Sequence, residues 1–259
     1  MNEWIKKSID LANAPSYLDA LSSVYVMNVN PVRPLPKEII SEMKEVFEKK
    51  ESAKLIRLLI QSSEVFPVKD SYVGFLRLKP SAIDENPITI NRIASRLYTL
   101  GFESMLREAQ RPKDTNRQLG NAFQNWLKRT GHKFLDEAQF KVATKGVWFL
   151  DGGDKTLANF SKNELKCKLK KGIDVVAKIN GKYVIGEAKF LTTPGGEQNG
   201  GFEDASSFVS EKSGNASRIA ILDGYIWLES LSGLHDKIIR SNENIMSALL
   251  FDEYVKKFK

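Results

Sequence analysis

Three residues in the second half of the chain, Asp174, Glu187 and Lys189, have types and a spacing that suit metal-assisted hydrolysis. Between them lies Asn180-Gly181, the strongest sequence signal for a two-residue hairpin turn, because a type I′ turn needs a positive φ at both central residues. With that turn, Asp174 lies directly across from Glu187, and their Cβ atoms are about 4.5–5.5 Å apart. Side chains alternate along a strand, so Lys189 projects from the same face as Glu187.

The two facing carboxylates define the chemistry that this hairpin can support. Like charges directly across a strand pair are destabilising unless a cation neutralises them. Mg²⁺ fits the pair, because it prefers oxygen ligands, often only one or two carboxylates, and keeps water and phosphate oxygens in its other positions. An adjacent lysine can orient or deprotonate the attacking water and offset phosphate charge. The arrangement indicates metal-assisted phosphodiester hydrolysis.

The Glu-x-Lys triplet by itself is weak, since it occurs four times in the chain. Glu42/Lys44 and Glu48/Lys50 fall in a helical region and are typical of solvated faces, and Glu164/Lys166 has no opposing acid. Glu187/Lys189 differs because it lies on an apolar strand with an aspartate across from it. A structural salt bridge is the alternative interpretation.

Hydrophobic periodicity predicts the elements that position this hairpin. Helical spacing begins at Pro36 and recurs over Ile90–Leu100, with Thr89 as N-cap. A polar stretch at Arg111–Asn116 indicates a soft boundary. Further helices are predicted over Arg117–Arg129, Phe202–Glu211 and Asn242–Phe258, strands over Phe140–Leu150, Gly172–Ile179, Lys182–Leu191 and Arg218–Leu222, and a Gly-rich loop over Pro194–Gly201. The order predicts a mixed α/β core with a mainly helical N-terminal lobe.

Composition excludes several classes of protein. The 259 residues carry 39 Lys plus Arg against 32 Asp plus Glu, a formal charge of +7 that mildly favours an acidic partner such as nucleic acid. One cysteine, Cys167, and two histidines, His132 and His235, leave no internal disulfide and no Cys/His zinc site. No apolar run approaches about 18 residues and no apolar signal core is present, so we expect a cytoplasmic protein without a membrane span.

The motif and its surroundings resemble a known nuclease superfamily. Asp174, followed thirteen positions later by Glu187-Ala188-Lys189, is similar to the PD-(D/E)XK nuclease signature, and within that superfamily the chain looks most like a type II restriction endonuclease. The resemblance extends over roughly Asn116–Leu228. The stretches that carry it beyond the motif are Asn116–Gly120 with Phe123-Gln124, Gly195–Asn199, Phe202–Ala205 and Ile219–Gly224.

The resemblance implies a role for each residue of the motif. Asp174 and Glu187 would be metal ligands, the backbone carbonyl of Ala188 a further ligand, and Lys189 the catalytic lysine. Gln124 stands where the preceding helix often supplies a glutamate, so we expect an accessory residue there. Ile173 occupies the place of the usual proline.

The resemblance also implies the fold, the activity and the partners. We expect a mixed central sheet flanked by helices, with residues 1–112 as a helical lobe for DNA grip, recognition or dimerisation and residues 113–259 as the catalytic core with a C-terminal helix. The activity would be sequence-specific double-strand cleavage of DNA that leaves 5′-phosphate ends. Mg²⁺ would be the cofactor, Mn²⁺ would substitute for it, and Ca²⁺ would support binding without cleavage. The expected partners are double-stranded DNA, a second copy in a homodimer and a cognate DNA methyltransferase, in the cytoplasm of a bacterium or archaeon.

Six polar side chains are candidates for DNA contacts. Arg92 and Arg96, four apart on one helix, suit base edges or phosphates, with a solvated face as the alternative. The run that ends at Lys171 suits a DNA backbone, with a solvated connector as the alternative. The other candidates are Arg117, Gln198 and Asn199.

Two alternative functions remain open at this stage. One is a structure-selective repair or recombination nuclease with the same core. The other is a catalytically silent DNA-binding protein in which Asp174, Glu187 and Lys189 form a structural ion network. The silent protein would bind DNA regardless of divalent ions and of Glu187→Ala, whereas a nuclease would lose turnover in Lys189→Ala.

Overall fold

Two units make up the chain, which the computed structural model describes over residues 1–26, 32–111, 115–192, 196–229 and 233–258. The side chains of residues 115–121 and 196–198 lie outside this description. One unit combines Met1–Met27 with Thr115–Lys259, and the other is Asn28–Asp114. Among the described helices, none has both the length and the hydropathy that crossing a membrane requires.

The first two helices, α1 (Glu3–Ala12) and α2 (Tyr17–Val24), belong to the unit that contains the sheet. Trp4 of α1 and Leu21 of α2 are buried in the same hydrophobic cluster as strand residues such as Val184. This differs from the predicted boundary, which placed all of residues 1–112 in one helical lobe. Periodicity shows that each helix has a face to bury, but it does not show which partner covers that face.

The Asn28–Asp114 unit is helical, as predicted. Its helices are α3 (Lys37–Glu48), α4 (Ser52–Ser62), α5 (Val73–Leu78), α6 (Ala82–Glu85), α7 (Pro87–Leu100) and α8 (Phe102–Ala109). Ile90, Ile93 and Leu97 are buried in its core. The predicted N-cap, Thr89, is wrong, because α7 begins at Pro87, and proline is favoured at the first helical position, where no hydrogen bond from its nitrogen is needed.

A sheet of mixed direction forms the centre of the other unit and confirms the predicted mixed α/β class. Its remaining elements are α9 (Thr115–Arg129), β1 (Lys133–Leu135), α10 (Glu137–Val142), β2 (Val147–Leu150), α11 (Asp154–Asn163), β3 (Val175–Ile179), β4 (Lys182–Leu191), α12 (Gly196–Ser210), β5 (Ser217–Gly224), α13 (Leu234–Ile239), β6 (Ile245–Met246) and α14 (Phe251–Lys257). The six strands of the described chain lie in sequence order. Strands β2, β3 and β4 are antiparallel neighbours, and the other pairs are parallel.

The hairpin of β3 and β4 has the predicted turn and register. Asn180 and Gly181 have φ of 50° and 85°, so both central residues adopt the positive φ of a type I′ turn. The ladder pairs Ile179 with Lys182 and Val175 with Gly186. The register therefore places the next pair outward, Asp174 and Glu187, across from each other.

Three predicted elements are wrong in part. Phe140, assigned to a strand, lies in α10, which begins where the Asp136 side chain accepts a hydrogen bond from the Gln139 N–H at 2.9 Å. The tail predicted as one helix over Asn242–Phe258 instead contains β6, a 3-10 turn and α14. The predicted Gly-rich loop is helical from Gly196 onward, as the start of α12. Short apolar runs fit either a helix or a strand, and tertiary packing decides between them.

Candidate active site

The site begins at the open end of the hairpin, where Asp174 precedes β3. The Asp174 N–H donates to the carbonyl of Gly186 at 2.9 Å, which continues the ladder one residue beyond the strand. The Ala188 N–H donates to Asp174 Oδ2 at 2.8 Å and fixes the orientation of this carboxylate. The predicted neighbours, Asp174 and Glu187, therefore come together as the register requires.

Glu187 is a buried carboxylate that faces two ammonium groups. Its side chain is 2% exposed, and its Oε1 lies 3.0 Å from Lys171 Nζ and 3.1 Å from Lys189 Nζ. Within the described residues, no hydrogen bond of good geometry reaches Oε1. A buried charge needs a counter-ion, and the two ammonium groups supply it here.

Lys171 bridges Glu187 to a further acid, Asp204 of α12, at 2.6 Å. Burial alone would lower the pKa of Lys171, but the contacts with Asp204 and Glu187 outweigh it and the pKa is raised. Lys171 therefore contacts one of the two facing carboxylates directly and does not lie on a solvated segment far from them.

Burial raises the pKa of Asp174 from its ordinary value of 3.8 to about 6. The hydrogen bond from Ala188 and the charge of Lys189 lower this pKa, and the negative charges of Asp154 and Glu187 raise it further. The site therefore holds its negative charge at a free-energy cost that a cation would relieve.

A pH-dependent gain in stability is expected for Asp174→Asn in the absence of metal. A carboxyl whose pKa is raised in the folded state destabilises that state as the pH rises from about 4 to about 6, and the loss is then constant. The two pKa values correspond to about 3 kcal/mol, so the variant should be up to that much more stable than the parent above pH 6 and similar to it near pH 4. All four tryptophans, Trp4, Trp126, Trp148 and Trp227, lie in the sheet unit, so their fluorescence during urea unfolding in EDTA reports this difference. A difference in the free energy of unfolding between the two proteins that stays constant from pH 4 to pH 8 would contradict the assigned pKa.

Gln124 reaches the site from α9, as predicted. Its Nε2 donates to the backbone carbonyl of Asp174 at 3.3 Å and to Asp154 Oδ1 at 3.0 Å. The amide thus joins the hairpin to a second acid.

That second acid, Asp154, was missed by the sequence analysis. It is the first residue of α11, and a Cβ at Gly172 would lie 2.7 Å from the Asp154 Cβ, so glycine at 172 permits this close approach. The available signal was weak, because Asp154 follows the apolar segment that ends at Leu150 by four residues, and Asp151 stands closer to the strand end.

The donor set fits a hard divalent cation with few protein ligands. The described residues contain no group of three or more His, Cys, Asp or Glu side chains that could hold a metal. Mg²⁺ needs only one or two carboxylates when waters and phosphate oxygens complete its octahedron, and Asp174 with Glu187 supply them. The N–H and C=O of a strand residue point to the same side, so the carbonyl of Ala188 projects toward the Asp174 side, where its N–H donates.

An open cavity of about 330 Å³ adjoins Glu187. Basic and acidic side chains alternate around it, together with apolar groups such as Phe208. The charged residues of its wall are Lys168, Lys170, Lys171, Glu187, Asp204, Glu211 and Arg218. A cavity of this character suits a charged, hydrated ligand better than an apolar one.

The remaining candidates lie in the helical unit, on α12 or outside the described residues. Arg92 and Arg96 both contact Asp70, at 2.6 and 3.2 Å, within the helical unit, and the Arg92 guanidinium lies 5.4 Å from the ring centre of Tyr72. Asn199 is half-buried on α12 and not in a loop. The side chains of Arg117 and Gln198 lie outside the described residues.

Comparison with protein families gives a match along nearly the whole chain. The family described as Tsp45I type II restriction enzyme matches residues 2–258. The chain belongs to this family. The predicted resemblance to type II restriction enzymes is confirmed. No curated protein and no solved structure matches the chain significantly.

Membership makes the chain a restriction enzyme, a nuclease that cuts DNA at specific sequences as part of a restriction–modification system. Enzymes of this type generally use divalent metal ions, in agreement with the carboxylate pair. The silent DNA-binding protein considered above is therefore not favoured. For this restriction enzyme, the hairpin with Asp174, Glu187 and Lys189 is the candidate catalytic centre.

Proposed function

We propose that this restriction enzyme is a Mg²⁺-dependent endonuclease of the PD-(D/E)XK type that cuts both DNA strands and leaves 5′-phosphate ends. Asp174 and Glu187 hold the metal together with the carbonyl of Ala188, and Lys189 acts on the attacking water. The observation that carries the proposal is the contact of Lys189 with buried Glu187, directly across the hairpin from Asp174.

Each residue has a defined task in the reaction. A bound Mg²⁺ supplies a water of lowered pKa and positive charge for the phosphate. Lys189 Nζ orients that water and stabilises negative charge that develops on the phosphate. The water oxygen bonds to phosphorus and gives its proton to solvent, the bond from phosphorus to the 3′ oxygen breaks, and that oxygen takes up a proton from solvent, which gives a 3′-hydroxyl and a 5′-phosphate. The Ala188 N–H and Gln124 keep Asp174 in place throughout.

DNA binding is assigned to basic residues in both units. Lys171 lies at the catalytic site, and Arg92 and Arg96 of the helical unit are exposed guanidinium groups that can contact phosphates or bases. Arg117, Gln198 and Asn199 remain further candidates. A homodimer would match the two-fold symmetry of a palindromic site, and a cognate methyltransferase would protect that site in the host.

Digestion of a long phage-type DNA tests the proposal directly. In Mg²⁺ we expect discrete bands that disappear in EDTA, and sequencing of their ends should show 5′-phosphates. Mn²⁺ should replace Mg²⁺, and Ca²⁺ should support a gel shift without cleavage. A smear in Mg²⁺ would indicate a structure-selective or nonspecific nuclease instead. Cleavage that persists in EDTA would exclude the metal-dependent mechanism.

Asp154→Asn is expected to lower the cleavage rate about 10- to 100-fold, with the larger effect at low Mg²⁺ concentration. The Asp154 carboxylate orients Gln124 and adds negative charge near Asp174, so its loss should weaken metal binding more than the chemical step. Cleavage rates measured over a range of Mg²⁺ concentrations give both effects. Asp151→Asn is the matched control, since Asp151 lies three residues away and pairs with Lys128. Equal behaviour of the two variants would remove Asp154 from the site.

A further inference from the structure

Lys171 lies between two carboxylates of very different exposure. Its Nζ is 3.0 Å from Oε1 of Glu187, whose side chain is 2% exposed, and 2.6 Å from Oδ2 of Asp204, whose side chain is 60% exposed. Lys171 itself is 42% exposed at the edge of the cavity. One ammonium group is thus shared by a buried acid and a solvated one.

The position of Lys171 conflicts with a metal ion on Glu187. The buried oxygen Oε1 already has two ammonium groups within 3.1 Å, and a divalent cation beside it would meet both at short range. Repulsion between such charges is strong where water is excluded. Lys189 projects from the same strand and face as Glu187, whereas Lys171 comes from the segment before β3 and has a second acid that can hold it.

We propose that Lys171 competes with the metal for Glu187 and that Asp204 receives the ammonium group when the metal binds. The proposal rests on the metal site of the proposed function. Lys171 and Asp204 are then positioning residues that set the metal affinity of the free enzyme. The cavity beside them gives the lysine side chain room to move without any change in the backbone.

A double-mutant cycle read by Mn²⁺ binding tests this competition. Calorimetry on the enzyme without DNA gives the affinity of the parent, Lys171→Met, Asp204→Asn and the double variant. Removal of the competitor in Lys171→Met should tighten Mn²⁺ binding about tenfold or more. Asp204→Asn should weaken it about threefold to tenfold, because Glu187 is then the one close acidic partner of Lys171 among the described residues. In the Lys171→Met background, Asp204→Asn should change the affinity less than about twofold.

Non-additivity separates competition from a general effect of charge. Simple electrostatics predicts that Asp204→Asn weakens binding equally in both backgrounds, and that result would overturn the proposal. Unchanged or weaker binding by Lys171→Met would do the same. Lys170→Met and Glu211→Gln are matched controls, because they remove the same charges from the wall of the same cavity. We expect each to change the affinity less than about threefold.

Glu187→Gln distinguishes failure of this inference from failure of the proposed function. Loss of Mn²⁺ binding in Glu187→Gln, without tighter binding in Lys171→Met, would remove the competition but keep the metal site. Parent-like binding in Glu187→Gln would remove both. Lys171→Gln serves as a second neutral variant, and the unfolding midpoint of each protein in EDTA checks that it is folded.

Discussion

Lys189→Met should lose DNA cleavage by a factor of about 10²–10⁴ while it keeps its fold and its affinity for DNA in Ca²⁺. The ammonium group is 3.1 Å from Glu187 Oε1, on the face of the hairpin where water and phosphate would meet. Methionine keeps an unbranched apolar stem of similar length and removes the charge and its three donors. The side chain is about one-third exposed, so the cost in stability is small.

Single-turnover cleavage with saturating enzyme measures this loss without interference from product release. Lys182→Met is the matched control, since Lys182 lies on the same strand at its other end, next to the turn. The control should cut at the parent rate. A rate for Lys189→Met above about one-tenth of that of the parent would show that the lysine has no part in the chemistry.

The hairpin of β3 and β4 could be predicted from the sequence because local chemistry determines it. Asn180-Gly181 fixes the turn type, the turn fixes the register, and the register fixes which side chains face each other. Each step involves neighbouring residues or a period of two. The structure agrees at every step, from the positive φ values to the pair of Val175 with Gly186.

The acids around the hairpin could not be predicted, because tertiary packing brings them there. Asp154 lies twenty residues before Asp174 and reaches it where α11 passes closely over Gly172. Asp204 belongs to α12, the next helix after the hairpin in the chain, and meets Lys171 through an ion pair at 2.6 Å. Neither contact leaves a periodic pattern in the sequence.

Helical faces show the same limit in the other unit. The spacing of Arg92 and Arg96 correctly places both on one side of a helix, away from the buried stripe. It does not reveal that both reach Asp70, a side chain only 4% exposed from a preceding segment. A helix face exposed to solvent and one that forms ion pairs have the same sequence pattern, and only the residue that contacts the face distinguishes them.

Asp223→Ala should destabilise the sheet unit by about 3–5 kcal/mol near pH 4. Asp223 is fully buried on β5 and accepts hydrogen bonds from Tyr25 Oη at 2.7 Å, Tyr17 Oη at 3.2 Å, Ser247 Oγ and the Ala248 N–H at 3.0 Å. These donors come from α2 and the residue after it, and from the segment after β6. Removal of the carboxylate leaves buried donors without an acceptor and disconnects both segments from the sheet.

Tyr17→Phe is the matched control, because it removes one donor of the same network and keeps the carboxylate and the ring. We expect it to cost about 1 kcal/mol in urea unfolding followed by tryptophan fluorescence. Limited proteolysis should also release the first two helices faster from Asp223→Ala than from the control. A loss below about 1 kcal/mol for Asp223→Ala near pH 4 would show that the network contributes little.

The pH dependence of this loss follows from the cost of burying the charge. Burial raises the pKa of Asp223 to about 6, although the hydrogen bonds from Ser247, Tyr25 and Ala248 lower it. Since the folded pKa lies above the unfolded value, the parent loses stability as the pH rises from about 4 to about 6, whereas Asp223→Ala has no such group to titrate. The difference in the free energy of unfolding between the two proteins should therefore be largest near pH 4 and smaller by about 3 kcal/mol above pH 6. Asp174→Asn should instead raise the stability of the fold. In the proposed function a cation stabilises the Asp174 carboxylate, whereas donors of the protein itself stabilise that of Asp223.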